Sequence, residues 1–502
     1  MNQHLEAIHR TAELFEKYSH AVRVLQYDLE TICPKEGMEE QGETIAFFGN
    51  EAYKLMKTEE FMAEVEAAYQ EMDESWDSFD RALVRELYQS QLKNSKITPE
   101  MNLEFSRITQ KAFTAWSRAK EAADFSLFAE PLAKVTDMER TIASLRSEVP
   151  QLKQETPYDY RLDDYEEGMT VADLDRIFGE CKERLIPLLQ KIQASPKKIR
   201  TDFMSREVTE EQQKKLAYKV LHFMNYDLNR GAMTTSEHPF TSEMARNDVR
   251  ITTHYYNDAF ASSLYSVIHE GGHGLFELNA PQENWEHHLN NKTMGQHESV
   301  SRFYENIIGR SEAFTNVLYD MVAECMPQVV EGVSKKEFYE ALNTVTPSLI
   351  RTESDEFTYT FHVIIRYEIE KEIMNNGLDV AEIPALWEKK YKEYLGVTPS
   401  NDREGCLQDM HWTDGYGYFP TYALGNMYNA MYYNRMKEEV DIEAAIQSGS
   451  LAAVNAWMQE HVWKKADRQT PKEWIMEITG RELTPKDFLD YIEAKYTKIY
   501  EL

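Results

Sequence analysis

Residues 269–273 read His-Glu-Gly-Gly-His. In a helix, positions i and i+4 share a face, so His269 and His273 can present ring nitrogens to one cation. Glu270 then stands beside that cation rather than on it. A carboxylate there is placed to take a proton from water activated by a metal, which is the chemistry of hydrolysis. In a chain of 502 residues with 14 histidines, composition alone produces an H-E-x-x-H in roughly a few per cent of cases. Local context strengthens the reading. The preceding run, Asn257 to Ile268, offers an Asn or Asp N-cap and then an apolar, small-residue helical pattern. Gly271, Gly272 and Gly274 each cost about 1 kcal/mol relative to alanine inside a helix. Their clustering points to something approaching the backbone closely, a substrate or a packed strand.

A catalytic zinc takes three protein ligands and keeps one position for water. The pattern that places a third histidine six residues beyond the second is excluded, because Phe276 and Asn279 stand where it needs Gly and His. The other common solution is a glutamate on a second helix. Pro281 to Asn291 supplies a connection, and Thr293 to Glu305 reads as a helix with Val300, Phe303 and Tyr304 on an apolar side. Glu298, within His297-Glu298-Ser299, is the candidate third ligand. Glu277 shares the face of the motif helix but lies too far along it. It is expected to support the site from behind or to pair two helices. His287-His288 reads as a solvated turn.

The elements that must hold these residues are mostly helical. Leu5, Ile8, Ala12, Phe15, Tyr18, Val22, Leu25 and Leu29 step by threes and fours, an amphipathic helix ended by Cys33-Pro34. Helical patterns continue over 40–57, 59–69, 78–92, 99–145, 171–193, 209–224, 334–376, 383–395 and most of the chain after Pro420. Residues 147–165, with Pro150 and Pro157, read as a connector. Gly231 to Tyr256 differs, being rich in Thr, Ser, Asn and Pro. Its Asp248-Val249-Arg250-Ile251-Thr252-Thr253 favours strand. A small antiparallel sheet is expected there, whose edge could take a peptide as an added strand. The expected whole is a single domain over 1–502, a helical two-lobed body around a cleft, with a catalytic core at about 231–425.

Composition sets limits. The formal charge is −31, and basic runs are short, so no nucleic-acid surface is expected. No apolar stretch approaches a membrane span, and the N-terminus shows no signal peptide. Four widely spaced cysteines, Cys33, Cys181, Cys325 and Cys406, read as reduced thiols of a cytoplasmic protein.

Amide hydrolysis also needs a donor for the oxyanion. Gly405 to Tyr422 concentrates aromatics and histidine on a Gly-rich turn. Tyr418 is the candidate donor and His411 an accessory one. A peptide's terminal carboxylate calls for a guanidinium. Arg250 and Arg351 are candidates, with a structural salt bridge the competing reading for each.

Six segments occur in order: His238-Pro239-Phe240; Asp248-Val249-Arg250-Ile251-Thr252; His269 to His273; His297-Glu298-Ser299; Ile350-Arg351-Thr352-Glu353-Ser354-Asp355; and Gly405 to Trp412. Together they resemble the carboxypeptidase Taq family of metallocarboxypeptidases, whose patterns are HPF, DxRxT, HExxH, HES, IRxxSD and GxxQDxHW. The resemblance implies a mainly helical fold with a deep groove, like that of neurolysin and angiotensin-converting enzyme. It implies one Zn2+ per chain, replaceable by Co2+, and a homodimer. It implies release of single residues from peptides with free C-termini, with broad preference. Carried over by motif, His269, His273 and Glu298 bind the metal and Glu270 is the base. His238, Arg250, Arg351 and His411 line the groove and hold the substrate's C-terminal end. The rival readings are an oligopeptidase or dipeptidyl carboxypeptidase on the same scaffold, and a silent zinc-binding interaction protein.

Overall fold

In the computed structural model the first helix runs Gln3–Thr31, started by the Asn2 side chain accepting from His4 N. Only its N-terminal part is deeply buried, through Leu5, Ile8 and Ala12. Leu5 and Ile8 join Phe61, Val65, Ala68, Ala82, Leu83 and Val84 from the helices Glu59–Glu71 and Ser78–Asn94, together with Leu289. This small core is separate from the main one, which extends from Ala112 to Tyr500. The N-terminal helices therefore rest on their own apolar cluster, to which the 281–290 connection contributes Leu289. The structure describes residues 2–290 and 292–502, so Asn291, the end of the expected connection, lies outside the described residues.

The helical pattern over 99–145 forms two helices, Pro99–Ala122 and Ser126–Ser147, broken at Ala123, whose φ is +55°. The pattern over 334–376 is interrupted more deeply. Helices cover Lys335–Leu342 and Tyr359–Asn376, with irregular chain and a short turn at Arg351–Glu353 between them. Pro347 and the surrounding Ser and Thr residues explain the break. The Asp355 side chain fixes the loop by accepting from Thr346 N and Thr358 N. Arg351 thus sits on a loop, not on a helix.

Two helices, Tyr359–Asn376 and Phe419–Met436, are buried on nearly all faces and form the centre of the main core. Among the described residues no helix is long and apolar enough to cross a membrane, and all four cysteines are free thiols.

The small sheet has three strands: β1 (Gly231–Thr235), β2 (Thr241–Ala245) and β3 (Asp248–Thr253). It is mixed, not antiparallel. The order is β1-β3-β2, with β1 parallel and β2 antiparallel to β3. Only β2 and β3 form a hairpin. The 236–240 segment instead crosses the end of β3, where the buried Thr252 hydroxyl gathers it. Phe240 N (2.9 Å) and Ser236 Oγ (2.6 Å) both donate to Thr252 Oγ1. The outer edge of β2 is partly capped by the first helix, whose His20 Nδ1 lies 2.7 Å from Met244 O.

Candidate metal centre

The motif helix runs Phe260–Asn279. Its expected side-chain cap is absent: Ala259 occupies the N-cap position and Asn257 uses its carbonyl to accept from Val208 N. Burial replaces the cap, since most of this helix lies inside the main core. The second ligand helix, Met294–Arg302, begins with a capping box between Thr293 and Gln296. It continues as a π-helical turn over Phe303–Ile308. Such turns recur at functional sites because they re-aim side chains within a continuous helix.

The two helices meet at a glycine. A Cβ on Gly272 would lie 2.8 Å from the Ser301 Cα. On the opposite side, a Cβ on Gly425 of Phe419–Met436 would lie 3.0 Å from Glu298 Cγ and 3.1 Å from its carbonyl carbon. Met294–Arg302 is thus gripped between two glycine notches, one on each neighbour. This helix approaches Gly272, while Met224 and Leu221 meet Gly271, and the Tyr226 ring and Ile251 meet Gly274. The expected packed strand is thus among the elements that approach the motif glycines, through Ile251 of β3.

This grip brings Glu298 Oε2 to 3.3 Å from His273 Nε2 and 3.6 Å from His269 Nε2. The three donor atoms all lie within 4.8 Å of one another. A tetrahedral site with bonds of about 2.0–2.2 Å separates its ligands by about 3.3 Å, so the spacing suits a cation. Two imidazole nitrogens and one carboxylate oxygen are also the donor set of a divalent borderline metal.

Surrounding groups fix each ligand. Glu305 Oε2 lies 2.8 Å from His269 Nδ1. That hydrogen bond places the proton on Nδ1 and leaves Nε2 free to ligate. Glu298 Oε1 is taken by Arg302 Nε at 2.9 Å, while Oε2, which also accepts from Ser301 Oγ, faces the histidines. The His297 ring stacks on His273 at 4.3 Å and is held by Glu277 at 2.8 Å. Glu277 also pairs with Lys292 at 3.3 Å. It therefore supports the site from behind and pairs two elements, as expected.

Burial alone would raise the Glu298 pKa. The charges of His269, Arg302 and His273 outweigh it and hold the carboxyl well below its ordinary range. His269 moves the other way: burial opposes its charge, but Glu298, Glu305 and Glu270 raise it to about 9. The pocket is a strongly anionic place in which a cation is favoured. Replacing Glu305 with glutamine keeps the shape but removes the charged acceptor for His269. Metal affinity is expected to fall by about 10–100-fold, measured by competition with a chromogenic chelator.

Glu270 is buried and held by the sheet. Thr241 Oγ1, on β2, lies 2.6 Å from Glu270 Oε2 and 3.0 Å from the Glu270 carbonyl oxygen. The sheet thus aims the base candidate.

A second cluster lies beyond Arg302, whose guanidinium covers the Tyr359 ring at 3.7 Å. Tyr359 Oη accepts from Arg351 Nη1 at 3.2 Å. Arg351 Nη2 reaches Asp409 Oδ1 at 2.9 Å, and Arg366 Nε reaches Asp409 Oδ2 at 2.7 Å. His411 sits over this pair with its Nε2 3.2 Å from Tyr422 Oη, and its buried Nδ1 has no hydrogen-bond partner. Burial lowers the His411 pKa to about 4, with Arg351 and Arg366 adding to the effect against Asp409. The ring is neutral at pH 7. Tyr418 packs edge-on against Tyr422 and Tyr165 and lies against His411. Burial and the Glu298 charge raise its pKa, so its phenol keeps its proton.

The structure therefore gathers His269, His273, Glu298 and Glu270 at one point, and Tyr418, His411 and Arg351 in an adjoining cluster. Two candidates stand apart. Arg250 is paired with Asp248 at 2.6 Å and lies over the Tyr27 ring. His238 is exposed in the loop between β1 and β2. His287 is not a solvated turn residue: its Nδ1 lies 2.7 Å from Asp80 Oδ1. Glu305, Arg302, Thr241, Tyr422 and the Asp409–Arg366 pair were not singled out from sequence. Glu305 alone carried a usable signal, standing seven residues, about two helical turns, beyond Glu298.

Comparison with known proteins decides the lineage. Residues 7–496 match the family profile described as carboxypeptidase Taq (M32) metallopeptidase. The chain belongs to that family. It is 36% identical to carboxypeptidase 1 of Bacillus subtilis (strain 168) over 489 residues, covering 97% of this chain and 96% of the relative. It is 32% identical to thermostable carboxypeptidase 1 of Thermus thermophilus, covering 94% of each. The crystal structure of the M32 carboxypeptidase from Deinococcus radiodurans R1 superposes with a TM-score of 0.95 at 30% identity, covering 100% of both chains. As a carboxypeptidase Taq family member the chain is a metallocarboxypeptidase, and the family implies a divalent metal. The donor set at His269, His273 and Glu298 fits one.

Proposed function

We propose that the chain is a zinc carboxypeptidase that removes single amino acids from peptide C-termini with broad specificity. The observation that carries this reading is the juxtaposition of an N,N,O donor set with a carboxylate, Glu270, held from the sheet by Thr241. Zinc held by His269, His273 and Glu298 would supply Lewis acidity, bringing the pKa of a water molecule toward ~7.

The protein's own residues do the rest. Glu270 takes the proton from the attacking water as it adds to the scissile carbonyl, then delivers it to the leaving amine as the C–N bond breaks. The Thr241 hydroxyl fixes which carboxylate oxygen faces the reaction. Tyr418, protonated, and His411, neutral, are the donors for the oxyanion. The substrate's terminal carboxylate is drawn by the Arg351 cluster, with His238 and Arg250 further along the groove. Two guanidiniums against the single Asp409 carboxylate leave one net positive charge there. Both candidate arginines are already paired, so the substrate carboxylate joins an existing ion pair. The two-lobed groove, Co2+ as a replacement metal, a homodimer, a cytoplasmic location and a catalytic core at about 231–425 within one domain complete the reading.

The test is a matched pair of peptides with free and amidated C-termini, followed by mass spectrometry. The expected result is a ladder of single-residue losses from the free peptide, slow turnover of the amide and loss of both with chelator. Internal cleavage or release of dipeptides would assign the oligopeptidase or dipeptidyl reading instead.

A further inference from the structure

Outside the catalytic centre, one other group of side chains among the described residues has the spacing of a metal site: His9, Asp80 and His287. They come from three separate elements: the first helix, the helix Ser78–Asn94, and the turn that follows the short helix Gln282–Glu286. His9 Nε2 lies 2.9 Å and His287 Nδ1 2.7 Å from the same oxygen, Asp80 Oδ1. No lysine or arginine forms an ion pair with Asp80 among the described residues; the two imidazoles are its partners.

The surroundings hold this arrangement. Phe79 stacks on the His287 ring at 5.3 Å, and the Arg468 guanidinium lies 4.6 Å from the Phe79 ring centre. His288, at φ +59°, adopts the left-handed conformation as the chain turns away after His287. All three side chains are partly exposed, between 13% and 25%, so an ion can enter from solvent.

We propose that His9, Asp80 and His287 form a second binding site for a divalent transition cation of the zinc class. Two imidazole nitrogens and one carboxylate oxygen repeat the donor set of the catalytic centre, in which the chemistry favours zinc-like ions over calcium or magnesium. The present separations are those of hydrogen bonds, shorter than the about 3.3 Å between ligands in a tetrahedral site. Binding therefore opens the triad by about half an ångström, and the protons on His9 Nε2 and His287 Nδ1 leave those atoms as the metal takes their lone pairs. A water completes the coordination.

The position gives the site a consequence. His9 and Asp80 belong to the N-terminal helices with their own small core. His287 lies on the connection between the helix bearing His269 and His273 and the helix bearing Glu298. An ion at this point cross-links the N-terminal layer to the segment that joins the two ligand helices.

The test uses the full-length protein, stripped with chelator and titrated with zinc alone, with stoichiometry read by equilibrium dialysis and elemental analysis. Wild type is expected to bind about two equivalents, and the Asp80→Asn and His287→Gln variants about one, with peptidase activity kept. A Glu298→Ala variant, inactive by design, is expected to keep about one equivalent, and to lose it when Asp80→Asn is added. That arm reports the second site without reference to catalysis. Zinc should also raise the Tm of Glu298→Ala, and the rise should vanish in the double variant. Binding of a single equivalent by wild type, or a stoichiometry unchanged by Asp80→Asn and His287→Gln in folded protein, overturns the proposal.

Discussion

Replacing Glu270 with glutamine should leave the metal bound and lower kcat by about 10²–10⁴-fold, the usual contribution of a positioned general base. The amide keeps the length of the side chain and can still pair with Thr241 Oγ1, so the pocket should retain its shape. It cannot accept a proton at neutral pH. Because Glu270 is not among the three ligand donors, metal content by elemental analysis should stay at the wild-type level. KM should change little, since the group acts on water rather than on substrate binding. A fully metal-loaded variant turning over peptide near the wild-type rate would remove Glu270 from the mechanism.

The second large effect is expected at Asp409. Its carboxylate is the shared counter-ion of Arg351 and of Arg366, which is fully buried. Asp409→Asn leaves two buried guanidiniums with no charged partner, a change that costs about 3–5 kcal/mol in comparable buried pairs. A lower midpoint in urea should report it. Activity should fall too, because Arg351 leads through Tyr359 to Arg302, and Arg302 holds Glu298. The pH dependence has a definite sign. Burial works to raise the Asp409 pKa, but Arg351 and Arg366 hold it well below the ordinary carboxylate range. Its folded value is depressed, so its stabilisation is fully present above an unfolded value of about 4 and is lost as pH falls below that. The stability gap between wild type and Asp409→Asn should therefore be widest near neutrality and narrow in acid.

The reach of the sequence can be judged from particular residues. The candidate ligands are legible because helical spacing is a local property: His269 and His273 share a face whatever surrounds them. Glu298 followed from excluding a third histidine and from the length of the connection. The same locality located most helices, with Thr and Asp caps at Thr58, Asp77 and Thr98 starting three of them. Long-range choices were not legible. The strands were found from their composition, but β1 pairs parallel to β3 because Thr252 gathers a crossing loop, and nothing near β1 announces that. Thr241 could not be linked to Glu270 without the sheet's placement. The break at Pro347 was hidden by apolar residues on both sides that keep helical spacing. The motif glycines are points of close approach, but the sequence does not say that the visitor at Gly272 is the helix bearing Glu298.

The π-helical turn at Phe303–Ile308 carries one extra residue between two stretches that must each face a different neighbour. Upstream, Glu298 is aimed at the motif histidines and Arg302 holds it; downstream, the Gly309 carbonyl meets Tyr265 Oη and Arg310 reaches the Leu342 carbonyl. The turn works as a phase correction between them. Removing one residue from it would restore a regular helix and rotate one side against the other by about 100°. Insertions and deletions elsewhere on the surface can be absorbed by loops, but at this point chain length itself is under constraint. Substitutions that keep the residue count should be tolerated far better than any change of frame along the helix.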